Sequence, residues 1–189
     1  MHALLERCRG VGQHASPALA DMKAALTGEI DPTDLQSLLV EDPDRPYGRR
    51  VLLDGPHMEM MIASWTRGRV CAPHDHGGSV GAVRVLRGEA IHKVWKLVDG
   101  RLELALEERV GPGQILACGP DMVHSMGDGG AADKLATLHL YRDPIPFMVV
   151  YDQQAARTLQ VSGNCGAWVP GPDQILREVP GLHQRAFVA

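Results

Sequence analysis

Two short stretches confine what this chain can fold into: Gly68-Arg-Val-Cys-Ala-Pro-His-Asp-His76 and, further along, Gly113-Gln-Ile-Leu-Ala-Cys-Gly-Pro-Asp-Met-Val-His124. Each reads as turn, apolar strand, turn. Residues two apart on a strand face the same side, so His74 and His76 present their imidazoles together. His124 then arrives from a different strand. Three such imidazoles can close one metal site, and neutral imidazole suits zinc, copper, iron and nickel. Three ligands leave coordination positions free, which points to chemistry rather than structural bracing.

The rest of the chain divides at Pro46. Before it, Pro17 to Leu26 predicts a helix, with Ser16 placed to cap, Pro17 at the first helical position and Gly28 as the stop. A second helix is expected from Pro32 to Val40, capped by Asp31, with Leu35, Leu38 and Leu39 facing inward. Both are expected to cover an open face or edge of the strand-rich remainder. After Pro46, short apolar runs alternate with turn residues, and roughly eight to ten strands at this spacing imply a sandwich or closed barrel. The run Arg101 to Val110 alternates Leu102, Leu104 and Leu106 with Glu103, Ala105 and Glu107, the pattern of a half-buried strand. In Ala90 to Leu97, Ile91, Trp95 and Leu97 share one face, interrupted by Lys93. The last core strand is Phe147 to Tyr151, or Leu159 to Val161 beyond it. Ser162 to Asp173 is too rich in Gly and Pro for regular structure, and the residues from Asp173 to Glu178 are compatible with a short helix. A flap over the barrel and an interface arm both stay open for this tail.

A chain of 189 residues suits one all-β domain, here residues 1–189, with 1–45 as a helical cover, 46–161 as the barrel and 162–189 as the tail. A net charge of −4 with scattered lysines and arginines gives no basic field for nucleic acid. No apolar stretch nears the length that crosses a membrane, and the N-terminus carries charges where a signal peptide needs an apolar run, so a cytoplasmic protein is expected. Cys8, Cys71, Cys118 and Cys165 form no C-x-x-C pair and read as small buried thiols. His2, His14, His57, His92 and His183 lie in no comparable constellation and are read as unconnected with the site.

The two histidine stretches resemble the paired motifs of the cupin superfamily, a double-sheet, jelly-roll-like β-barrel that holds one metal in its mouth. Gly68, His74 and His76 fit the first motif, and Gly113 and His124 the second, with Asp128 where Asn is usual and Gly119-Pro120-Asp121 where Pro-x-Gly is usual. The glutamate ligand of the common cupin is absent, since residues 77–82 read Gly-Gly-Ser-Val-Gly-Ala. Thr137-Leu-His-Leu-Tyr141 narrows the resemblance to the thiol dioxygenase branch, and most closely to cysteine dioxygenase type I in its bacterial form, whose Ser-x-His-x-Tyr relay reaches the metal from the barrel wall. Read without the family, Thr137, His139 and Tyr141 point to one strand face, where a hydroxyl can orient an imidazole and the imidazole a phenol. Tyr47-Gly-Arg49 resembles the segment whose arginine binds the substrate carboxylate, and a guanidinium fork matches that shape.

The resemblance implies Fe(II) on His74, His76 and His124, O2 as co-substrate, and transfer of both oxygen atoms to the sulfur of a small thiol carboxylate, with L-cysteine to cysteine sulfinate as the leading reaction. Tyr141, His139 and Thr137 would be the catalytic group and Arg49 the substrate clamp. Animal members carry a cysteine cross-linked to the relay tyrosine where this chain has Gly81, so Tyr141 is expected to be unmodified. Other thiols such as 3-mercaptopropionate and mercaptosuccinate, nickel or another divalent metal, and a non-catalytic metal-binding sensor stay open. The expected partners are small molecules, on a monomer or small homo-oligomer.

Overall fold

Three helices form ahead of Pro46, and after it the chain is almost entirely strand. The computed structural model describes residues 2–14, 16–145 and 147–187. The helices are α1 (His2–Gly12), α2 (Leu19–Ala25) and α3 (Pro32–Leu38). Helix α3 starts as its sequence dictates: the Asp31 carboxylate accepts from the backbone N–H groups of Thr33 and Asp34, and Pro32 stands at the first position. Helix α2 starts later than expected, after Ala18 and without a side-chain cap. The Ser16 hydroxyl accepts from the Arg142 guanidinium instead.

The strands are β1 (Tyr47–Asp54), β2 (Met58–Trp65), β3 (His74–Asp75), β4 (Val80–Arg87), β5 (Ala90–Val98), β6 (Arg101–Val110), β7 (Ile115–Cys118), β8 (Val123–Asp128), β9 (Ala136–Arg142), β10 (Phe147–Asp152), β11 (Arg157–Ser162) and β12 (Ile175–Pro180). They form two sheets, ordered β1-β2-β9-β4-β7 and β12-β11-β10-β3-β8-β5-β6. The helix expected over Asp173 to Glu178 is a 3₁₀ turn at Pro172–Gln174 followed by β12. Pairing with β11 satisfies a strand edge that would otherwise be open, and this outweighs the local helical preference.

The five-stranded sheet is buried on both faces. Met60, Ile62, Leu138 and Leu140 meet Leu4, Cys8, Met22, Leu26 and Leu35 of the helical cover. Ala63, Trp65, Val83 and Val85 point the other way, into the core between the sheets. Alternation within β2 therefore serves two apolar layers, which is why the strand reads as a continuous apolar run. The outer face of the seven-stranded sheet is covered by the chain end: Leu182 and Phe187 pack with Val123, Val149 and Tyr151.

The register of β5 and β6 shows which face of β5 is buried and corrects the regular alternation expected of β6. Ala90 and His92 are the buried residues of β5, so its inner parity is even and Ile91 lies on the other face. A bulge between Val94 and Trp95 then shifts the pairing with β6. The extra residue, Ala105, breaks the period of two in β6, so that Leu104 pairs with Trp95 and Leu106 with Val94; β6 is also the sheet edge, where Leu104 and Leu106 are 49% and 46% exposed and only Leu102 joins the cluster on the outer face.

Leu140 is fully buried between the helices and the five-stranded sheet. Leu140→Ala should lower unfolding free energy by about 2–5 kcal/mol in urea titrations; a change within experimental scatter would show that the helices do not press on this sheet.

Candidate metal centre and its hydrogen-bond chains

Strand β3 is two residues long, yet it carries the site because it is inserted between two longer strands. His74 pairs with Val150 of β10 on one side and with His124 of β8 on the other. A direct cross-strand pair brings the His74 and His124 rings to 4.6 Å between centroids, and His76 closes the triangle at 5.0 Å and 4.9 Å. One nitrogen from each ring lies within 4.8 Å of the others. All three are buried.

Hydrogen bonds decide which nitrogen faces the centre. His74 Nδ1–H donates to the Ala72 carbonyl at 2.9 Å, which leaves Nε2 its lone pair. His124 Nε2 stands 3.3 Å from His76 Nε2, and His76 Nδ1 is buried without a hydrogen-bond partner. Burial also keeps the rings neutral, drawing His74 down to about 4 and His76 and His124 well below the ordinary histidine range. Neutral imidazole is the ligating form, and three converging lone pairs fit a divalent metal.

A second chain runs along β9. Trp65 Nε1–H donates to Thr137 Oγ1 at 2.8 Å, Thr137 Oγ1 lies 2.7 Å from His139 Nε2, and His139 Nδ1 lies 2.9 Å from the Tyr141 hydroxyl. Indole can only donate, so Thr137 accepts from Trp65 and keeps one proton of its own, for which His139 Nε2 is an acceptor in its Nδ1–H tautomer. In that tautomer His139 Nδ1–H donates to the Tyr141 oxygen and the phenolic proton is free for the cavity. Burial draws His139 down to about 3 and lifts Tyr141 well above the usual phenol range, so the chain stays neutral with Tyr141 protonated. The Tyr141 ring lies 4.9 Å from that of His76.

Gly81 makes room for this ring. A Cβ there would sit 2.6 Å from Tyr141 Cδ1, well inside any real contact. The cavity over the three histidines is lined by Tyr47, Met61, Trp65, Cys71, Met126 and Met148, together with Ile145, Ala167, His139 and Tyr141. Its free volume is about 30 Å³, room for roughly two waters. The four cysteines are free and buried, and burial pushes the Cys71 and Cys118 thiols up to about 12. They are inert thiols rather than ligating thiolates.

Arg49 does not line this cavity. It projects from the same side of β1 as Tyr47, and its Nη2 donates to the Gly163 carbonyl at 3.0 Å. Arg50, next along the strand, reaches the carbonyl of Ser37 in the helical cover. Of the seven residues that the sequence marks for the site, six therefore converge and Arg49 stands outside the cavity lining. The segment that it holds also closes over the mouth: Ala167 N–H donates to the Tyr47 hydroxyl and Ala72 N–H to the Ala167 carbonyl. This part of the tail is a cover over the cavity.

His92 corrects the sequence reading, which leaves it unconnected with the site. It is buried on the inner face of β5, its Nε2 lies 3.1 Å from His124 Nδ1, and its Nδ1 lies 3.0 Å from a Glu108 carboxylate oxygen. The available signal was its place between Ala90 and Val94, since a histidine on a buried parity must find polar partners.

The family model described as cysteine dioxygenase type I matches residues 17–154. Among solved structures, an uncharacterized conserved protein with a double-stranded β-helix domain from Klebsiella pneumoniae is 14% identical, over 66% of this chain and 97% of that one, with a TM-score of 0.50. A cupin superfamily protein from Desulfitobacterium hafniense is 16% identical over 61% of this chain and 94% of that one, with a TM-score of 0.46. The two antiparallel sheets with the histidines between them are the double-stranded β-helix of the cupins.

The depressed histidines make the metal-free fold sensitive to acid. Unfolded imidazoles take up protons near the ordinary value of 6.5, whereas His74 resists until about 4, so the unfolded state binds more protons between these values. Stability is fully present above 6.5 and is lost as pH falls through that window. The thermal midpoint of metal-free protein should drop accordingly, and a midpoint that stays flat across the window would contradict burial of these rings.

Proposed function

Since the chain belongs to the cysteine dioxygenase type I family, we propose that it is a thiol dioxygenase acting on a small thiol carboxylate, with L-cysteine as the leading substrate and cysteine sulfinate as product. The thiol and one O2 become a sulfinic acid; sulfur is oxidised by four electrons, dioxygen is reduced, and no external reductant is consumed. The observation that carries this reading is the directed chain from Trp65 through Thr137 and His139, which presents a neutral phenol beside three converging imidazoles. A structural filler or a ligand sensor has no evident need for such a donor.

His74, His76 and His124 would hold the metal, which we propose to be Fe(II). Bound there, it would supply a Lewis-acid and one-electron redox centre for thiolate and dioxygen. Tyr141 would contribute a hydrogen-bond donor at little reorganisation cost, its oxygen accepting from His139 Nδ1–H and its proton directed to the cavity. Met61, Met126, Met148 and Trp65 exclude water around the reacting sulfur. Arg49 is the proposed carboxylate clamp: its Nη2 donates to the Gly163 carbonyl, and a guanidinium carries further N–H groups from which a substrate carboxylate could accept. The setting proposed is a cytoplasmic monomer or small homo-oligomer; among the described residues, no helix is long and apolar enough to cross a membrane.

A second reading keeps the chemistry and changes the substrate. Among the described residues, the cavity lining contains no acidic side chain to pair with a substrate ammonium, which favours amine-free thiols such as 3-mercaptopropionate or mercaptosuccinate. Oxygen uptake by iron-loaded protein with these thiols and cysteine, with the sulfinate identified by mass spectrometry, separates the two. We expect one O2 per thiol with at least one of them. Tyr141→Phe should lower turnover on the order of 10²-fold with iron content unchanged. No uptake with any of the thiols would favour a metal-binding sensor, and an unaltered rate in Tyr141→Phe would remove the phenol from the mechanism.

A further inference from the structure

His124 is not held by the barrel wall alone. It stands on β8, His92 on β5 and Glu108 on the edge strand β6, and the three side chains run outward in one line from the histidine cluster to the surface. A carboxylate can only accept, so His92 carries its proton on Nδ1 and gives it to Glu108 at 3.0 Å. Its Nε2 is then an acceptor, and the donor facing it at 3.1 Å is His124 Nδ1–H. That proton placement leaves the His124 Nε2 lone pair facing His76 and the centre of the cluster. The tautomer of His124 is thus set from outside, two strands away.

Packing does not explain this arrangement. An apolar side chain of similar size would fill the His92 position without needing two buried hydrogen bonds, whereas the buried His92 imidazole has both nitrogens satisfied. His74 has a backbone carbonyl for the same task, and among the described residues His76 Nδ1 has no hydrogen-bond partner. Of the three rings, only His124 is oriented by a side chain that is itself oriented by a charge.

We infer that His92, backed by Glu108, is a positioning residue that locks His124 in its ligating tautomer and strengthens it as a metal ligand. This rests on the metal-binding part of the function proposed above and is independent of the thiol chemistry. Glu108 is partly exposed, with 39% of its side chain accessible, so the line ends where solvent can reach it. Partners of this kind typically change metal affinity by about 10–100-fold when removed.

Cobalt(II) loading of the full chain tests the assignment without thiol or dioxygen. His92→Phe should weaken cobalt binding, measured by chelator competition, by about 10–100-fold. It should also abolish the slowly exchanging, paramagnetically shifted N–H resonance expected for His124 Nδ1–H. His92→Gln, whose amide oxygen can accept the same proton, should restore most of the affinity and the resonance. Glu108→Ala should weaken binding in the same direction by a smaller factor. Wild-type affinity with the resonance retained in His92→Phe overturns the proposal, as does equal weakness of the Phe and Gln variants in protein that folds normally. Should His92→Phe not fold, wild-type affinity and resonance in Glu108→Ala overturn it. A protein that behaves as expected with cobalt but oxidises no thiol would refute the dioxygenase reading and leave this one standing.

Discussion

The site depends on one cross-strand pair. His74 can face His124 directly only because β3, two residues long, is wedged between β10 and β8 and shares backbone pairing with both. Register in a sheet is all or none on each face, so a slip of one residue would turn both His74 and His76 away from the cavity. The flanking core guards against that slip. Val150 and Met126 are buried on either side, and Cys71 Sγ accepts from the Met126 N–H at 3.2 Å, tying the approach to β3 onto β8.

Around that pair, polar groups are buried in directed lines rather than scattered. One line starts at an indole and ends at a phenol; the other starts at a carboxylate and ends at a ligand imidazole. In each, one end group has a fixed role, the indole as donor and the carboxylate as acceptor, which narrows the proton placements open to the groups between. Low surrounding polarity makes such lines costly if any member is missing, and the same polarity keeps them rigid when all are present. The apolar cavity wall and the cover from Gly163 to Trp168 supply that environment. The protein therefore presents neutral, oriented donors to a small dry space, which is the condition for electrostatic help at a reacting centre.

Much of this was legible in the sequence because the informative spacings are short. His74 with His76, and Thr137 with His139 and Tyr141, each share a strand face by the period of two, and the observed geometry obeys it. Asp31 as a cap and the apolar layer between helices and sheet were also readable locally. What escaped depends on partners far along the chain. The inward parity of β5 is even and runs unbroken along its pairing with β8, so a pattern anchored on the outward residues Ile91, Trp95 and Leu97 hid the inward His92. β12 exists because β11 offers it an edge, which no property of residues 175–180 announces. Arg49 carries the right chemistry, but its partner Gly163 lies 114 residues away and Arg49 is not part of the cavity lining.

The central claim is that three imidazoles and no carboxylate hold a metal with positions left vacant. X-ray absorption spectroscopy of the iron-loaded protein, recorded under anaerobic conditions before and after addition of a thiol carboxylate, addresses it most directly. The account requires imidazole scattering from three histidines, with oxygen scatterers of solvent partly replaced by one sulfur when the thiol is added. Scattering that fits fewer than three imidazoles, or a sphere that the protein fills completely so that no sulfur enters, would contradict it.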